Sequence, residues 1–296
     1  MIADLARIML DVVTPVAVCA AIGFFWARLK QPFDSKMVTQ LVSNVGVPTL
    51  VFSTLVTVDL DDGIFLDMAA AALLTSVFFF AVGFAILKAT GLPQRTYLNP
   101  IAFANTGNMG LPLCLLAFGD QGLALGIAYF VINVILLLTI GIAVASNEYR
   151  LADVLKRPFL YAVLASTFFM VSDAEVPKAV LSTTKLLGNF SIPLMLITLG
   201  YSLATLQIVN VKRAFFISVC RLGIGIPVGF ATAIVFGFEG AAYGTLVLMC
   251  SMPVAVITFL LAENYGADGR AVAGSVIIST MMSFATLPVL LWALIN

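Results

Sequence analysis

Apolar runs of about 20 residues, such as 71–87 and 128–145, recur along this chain of 296 residues with only short polar stretches between them. As a helix, a run of that length crosses a hydrocarbon core of about 30 Å at 1.5 Å per residue. The runs are continuous rather than alternating, which argues against a membrane barrel. In lipid each backbone N–H and C=O must be satisfied within its own segment, and a helix does this. Composition agrees, with 61% of residues hydrophobic and 10% charged, where a soluble domain carries roughly a quarter charged residues. The first apolar segment has Asp4 and Asp11 beside it and Pro15 within it, and reads as a membrane helix rather than a cleavable leader.

The same composition narrows the chemistry. Histidine is absent and the 15 basic residues balance the 15 acidic ones. This removes the commonest proton relay and metal ligand and leaves no basic surface for nucleic acid. Cys19, Cys114, Cys220 and Cys250 fall inside apolar segments without metal-ligand spacing and read as small buried hydrophobes. No carboxylates cluster within a span. The chain therefore reads as neither an enzyme nor a cofactor protein, with no catalytic residues to assign and the question of a metal left open.

Ten spans are predicted: 10–28, 36–57, 64–87, 97–117, 121–146, 158–172, 179–206, 213–236, 240–261 and 269–294. Charge then alternates between the connections. Arg28, Lys30, Lys36, Lys88, Arg95, Arg150, Lys156, Arg157, Lys212, Arg213 and Arg270 fall in the odd-numbered ones. The other side holds only Arg7, Lys178 and Lys185 among basic residues, against acidic ones that include Asp4, Asp11, Asp59, Asp61, Asp62, Asp67, Asp120, Asp173, Glu175 and Glu239. Lysine and arginine favour the cytoplasmic side, so both chain ends are expected outside the cytoplasm of a plasma membrane or cell inner membrane.

A repeat is also legible. Residues 41–50 and 186–195 align without a gap, pairing Asn44 with Asn189 and Pro48 with Pro193 at an offset of 145. Residues 109–112 resemble 250–253, with Pro112 and Pro253 separated by 141. These matches place related signals in spans two and seven and in spans four and nine. The expected organisation is an all-α membrane protein of ten helices: a first five-helix repeat at 1–146, a cytoplasmic linker at 147–157, and a second repeat at 158–296. Because five is odd, the second repeat enters from the opposite face, the inverted arrangement that underlies alternating access.

The polar chemistry concentrates in the fourth span. Asn105, Thr106 and Asn108 lie with Gly107, Gly110 and Pro112 in the stretch 99–112, through which a helix does not continue cleanly. The ninth span carries a weaker interruption at Ser251 and Pro253. Backbone broken within lipid must face protein, water or a ligand. Four half-helix ends at one crossing would offer partial positive charge to an anion at their N-termini and partial negative charge to a cation at their C-termini. Asn44 and Asn189 are expected to face the interior, either lining the site or stitching a break. Arg221 lies eight residues beyond Arg213 and has two readings, a substrate or gating cation and a side chain that snorkels to the cytoplasmic surface.

Asn105-Thr-Gly-Asn-Met-Gly-Leu-Pro112, Met252-Pro-Val-Ala255, Tyr265-Gly-Ala-Asp268, Ser279-Thr-Met-Met-Ser283 and Thr286-Leu-Pro288 together resemble the auxin efflux carrier family, over essentially the whole chain. That family includes plant PIN-type carriers and bacterial permeases for malonate, malate and related acids. The resemblance implies a fold like that of bile acid and sodium symporters, with a scaffold domain and a transport domain each assembled from both repeats. Crossing helices four and nine would lie in the transport domain, which moves as an elevator. It also implies that Asn108, Pro112 and Pro253 sit at the crossover, where Ser251 stands in place of a second asparagine. A homodimer would fit the family. The short 147–157 connection replaces the long hydrophilic loop of plant exporters and marks a prokaryotic-type member.

The expected function is thus secondary active transport of a small organic anion, a monocarboxylate or dicarboxylate, with sodium or proton coupling left open. A ligand sensor and a channel-like protein on the same fold are the alternatives. The expected partners are the anion and membrane lipid.

Overall fold

A computed structural model describes residues 9–58, 62–146, 155–172 and 174–295. Most of the expected linker, 147–154, lies outside the described residues, as do Asp4, Arg7, Asp59, Asp61, Arg150 and Asp173 of the charge pattern. Among the described residues the chain is all helix: α1 (Leu10–Arg28), α2 (Ser35–Leu55), α3 (Asp62–Thr90), α4 (Gln94–Ala102), α5 (Thr106–Ser146), α6 (Pro158–Ser172), α7 (Lys178–Thr205), α8 (Val211–Val235), α9 (Gly240–Cys250), α10 (Val256–Asn264) and α11 (Gly269–Ile295). Seven of these, α1, α2, α3, α5, α7, α8 and α11, are long and apolar enough to cross a membrane by length and composition.

The 41-residue α5 is two arms rather than one rod. At Gly119 the backbone takes φ 66° and ψ −157°, which a side chain would resist, and the chain folds back. Gly126 consequently lies against Leu111 and Cys114.

Several prolines shape helices without breaking them. Pro15, Pro48 and Pro112 each occupy the second residue of an α-helical stretch that follows a π turn, at Met9–Val13, Val42–Gly46 and Thr106–Gly110 respectively. Proline lacks an N–H and crowds the carbonyl four residues back, and one wider turn absorbs both defects. Pro193 lies inside an uninterrupted α7.

The helices pack in two groups. In one, α7 lies along α1 and α2, and α6 packs on α2. In the other, α3 packs on α4 and α5, α9 on α5 and α8, and α11 on α8 and α10. Hydrocarbon gives helices little hydrophobic reason to associate, so close approach at small residues matters more. A Cβ added at Gly23 would collide with the Ile197 carbonyl, and one at Gly200 with that of Ala20, so α1 and α7 meet backbone to backbone. Between the groups, α7 touches the Thr106–Gly110 turn and α2 touches α5.

Connections gather at two ends. At one, Phe33 stacks on Tyr201 at 4.5 Å, Arg95 donates to the carbonyls of Ala145 and Tyr265, and Thr90 and Leu92 share a groove with Lys212 and Arg213. At the other, Phe52 meets Phe169 and Phe118 fills the space left by Gly244. Arg95, Lys212 and Arg213 thus lie at the first end, while Asp120 follows the bend at Gly119 and Glu239 precedes α9.

Candidate functional site

Two gaps in the helices meet inside the second group. Phe103-Ala104-Asn105, between α4 and α5, runs antiparallel to Pro253-Val254-Ala255, between α9 and α10, and all six residues are buried. The Asn105 N–H donates to the Pro253 carbonyl at 2.7 Å, and the Ala255 N–H donates to the Phe103 carbonyl at 3.2 Å. The Val254 N–H donates to Ser279 Oγ of α11 at 3.0 Å. Extended backbone survives here because each gap supplies partners for the other, as an interruption away from water requires.

The first break thus falls within the 99–112 stretch expected to be interrupted, but at its middle rather than at Pro112. The chain leaves the helix at Phe103, nine residues before Pro112, which is buried in an intact helical turn. Pro112 and Pro253 are therefore not counterparts: the residue opposite Val254 is Ala104. The second break lies where the sequence placed it, with α9 ending at Cys250 and α10 starting at Val256. Ser251 does not stitch the crossing, because its hydroxyl donates back to the Val247 carbonyl of its own helix at 2.7 Å.

Arg221, near the middle of α8, is fully buried and faces the C-terminal ends of the two helices, α4 and α9, that lead into the breaks. Its Nη1 donates to the carbonyls of Ile101 (2.9 Å) and Ala102 (3.4 Å), its Nη2 to Cys250 (2.6 Å) and its Nε to Met252 (3.2 Å). Phe79 covers the guanidinium at 4.2 Å. The snorkelling reading is thus overturned: the side chain turns inward because unpaired carbonyls at two helix ends are better partners than a distant headgroup layer. Behind it a polar chain of Thr75, Tyr129 and Cys250 links α3, α5 and α9, with oxygens 3.2 Å apart and the Tyr129 hydroxyl 3.5 Å from sulfur.

The N-termini of the helices that follow the breaks differ. Asn105 is 4% exposed, and its Nδ2 has no hydrogen-bond partner among the described residues. Thr106 is buried, its hydroxyl 3.4 Å from Asn133 Oδ1. Gly107 and Asn108 are partly accessible on the turn that α7 touches, with Phe130 beside Gly107, and Val256 and Ile257 are accessible at the start of α10. The crossing therefore brings Asn105, Thr106, Asn108 and Pro253 together, with Arg221 on its far side.

Asn44 and Asn189 do not face the interior. Both are exposed, together with neighbours such as Val45 and Phe190. The interior of this contact is made by smaller residues: Gly46 abuts Ser191, and Gly188 abuts Leu50. Asn99 and Asn133 were not singled out from the sequence, yet the Asn99 amide donates to the Gly141 carbonyl at 2.8 Å and its Oδ1 has no partner among the described residues. Their signal was present, an amide inside an apolar span. Among the described residues no three Cys, Asp or Glu side chains come together to hold a metal ion.

Comparison with known proteins points to membrane transport. The family described as membrane transport proteins matches residues 8–154 and 142–292. An uncharacterized transporter of Methanocaldococcus jannaschii is 25% identical over 308 residues, covering 98% of this chain and 100% of that protein. An uncharacterized transporter of Methanothermobacter thermautotrophicus is 26% identical over 276 residues, covering 88% of this chain and 89% of that one.

Proposed function

Because the chain belongs to the membrane transport protein family and is a multi-pass membrane protein, we propose that it is a secondary carrier of a small organic anion, a monocarboxylate or dicarboxylate, bound at the helix crossing. The observation that carries this reading is the unequal state of the four helix ends. The C-terminal ends of α4 and α9 are neutralised by Arg221. The N-terminal ends at Thr106 and Val256 keep their partial positive charge, next to a buried amide nitrogen without a partner among the described residues and to the partly accessible Asn108. Helix N-termini with free N–H groups attract anions, and a carboxylate would accept from Asn105 and Asn108 as well. Binding of this kind selects for charge and size.

The packing supports a reading of the movement as well. The α3–α5 and α8–α11 group would act as the transport domain and slide as an elevator against a scaffold of α1, α2, α6 and α7. This is supported by the close α1–α7 contact and by the narrow seam at the Thr106–Gly110 turn. We read ten crossings as two inverted sets of five. In support, Gly46 touches Ser191, which is 145 residues on, the offset of the Asn44 and Asn189 repeat. The charge pattern favours a cytoplasmic membrane with both termini outside.

The test is counterflow in vesicles reconstituted with the purified protein and loaded with a panel of monocarboxylates and dicarboxylates. Saturable exchange of one class is expected. Flux that rises linearly with concentration and voltage would indicate a channel, and binding without flux a sensor; either outcome would end the carrier reading.

A further inference from the structure

Four carbonyl oxygens from two different broken helices converge on one guanidinium, those of Ile101 and Ala102 in the last turn of α4, that of Cys250 at the end of α9 and that of Met252 just past it. Each helix C-terminus carries roughly half a negative elementary charge, so two of them roughly match one arginine. In transporters with interrupted helices, unwound carbonyls and half-helix C-terminal ends form the oxygen cluster that holds a coupling cation. Here that cluster is already occupied by a side chain. Arg221 is sealed at 0% exposure beneath Phe79, and a Cβ at Gly225, one turn along α8, would collide with the Cys250 carbonyl that Nη2 engages.

We propose that Arg221 is a tethered cation standing where a mobile coupling cation would otherwise bind, so that the crossing assembles without sodium and no sodium held there drives transport. A planar fork suits the place better than a spherical ion because it reaches carbonyls on two helices from a third. The inference rests on the crossing being the substrate site, and Arg221 acts as a positioning residue: it holds α4 and α9 end to end, which in turn aims the N-termini of α5 and α10.

The test needs no substrate, so its failure is separable from a failure of counterflow. The unfolding temperature of the purified protein is measured in sodium, potassium and choline chloride at equal ionic strength, for the wild type and for Arg221→Ala, Arg221→Met and Arg221→Lys. The wild type should unfold at the same temperature, within about 1 °C, in all three salts. Arg221→Ala and Arg221→Met should unfold about 5–15 °C lower. Millimolar guanidinium should restore part of the Arg221→Ala loss while leaving the wild type unmoved, and Arg221→Lys should fall between the two. Sodium-specific stabilisation of the wild type would overturn the proposal, as would an Arg221→Met protein as stable as the wild type. Should the neutral variants fail to fold, the wild-type salt comparison and Arg221→Lys decide.

Discussion

Asparagine is the residue on which this site turns, and its position on the helix surface decides what it does. An amide in an apolar span costs free energy unless it finds a partner. Asn99 and Asn133 find partners within the protein, Asn105 keeps a donor unpaired, and Asn44 and Asn189 point outward. The sequence identifies all of them as unusual but does not separate these fates, because helices apolar on every side carry no periodic signal of which face turns inward. Asn108 is expected to be a binding group with little structural duty, since it is only partly buried. Replacing it with alanine should raise the KM for the transported anion by about tenfold to a hundredfold, the worth of one hydrogen bond to a charged group, with an unchanged unfolding temperature. Asn44→Ala measured in the same counterflow assay should leave KM near its original value, and equal effects of the two substitutions would count against the crossing as the site.

Whether a helix continues or stops depends on more than its prolines. Pro112 and Pro48 are legible in the sequence as irregularities, but each is accommodated by a π turn, while the break between α4 and α5 falls at Phe103, Ala104 and Asn105. What makes the interruption tolerable is remote: Pro253 and Phe103 carbonyls paired across the crossing, Ser279 on α11 and Arg221 on α8. Glycines set how closely those elements approach. Gly225→Ala would force α8 from the end of α9 and should cost about 1–3 kcal/mol, as overpacking does, whereas the neighbouring Gly223 has no atom within 4 Å of an added Cβ. Gly223→Ala should therefore be neutral or stabilising by up to about 1 kcal/mol, the gain from a better helix former. Denaturation of the two variants side by side checks this, and equal losses would mean that the α8–α9 approach is not tight.

At the scale of the molecule, sidedness and grouping are different kinds of information. The distribution of lysine and arginine is local to the connections and is legible in the amino-acid sequence alone. Cysteines introduced at Gln31 and Arg270 should be labelled by an impermeant reagent from the cytoplasmic side, and those at Asp120 and Glu239 from the other. All four positions are exposed, and the native Cys114 and Cys250 are buried. Labelling of Asp120 and Gln31 positions from one side would sink the topology. Two helix groups, by contrast, follow from contacts such as Gly23 with Ile197 and Gly200 with Ala20, between residues far apart in the chain.

The sequence by itself determined that this chain is helical, membrane-embedded and marked by two interrupted segments. Those properties arise from run length, charge placement and residues that disturb a helix within a few positions of themselves. Only the tertiary structure decided that the interruptions meet, that Arg221 turns inward to four carbonyls, and that Asn44 and Asn189 face out. The reason is that a broken backbone in an apolar interior is stabilised by whichever groups other helices bring to it, and those partners lie up to 152 residues away, as Phe103 and Ala255 do.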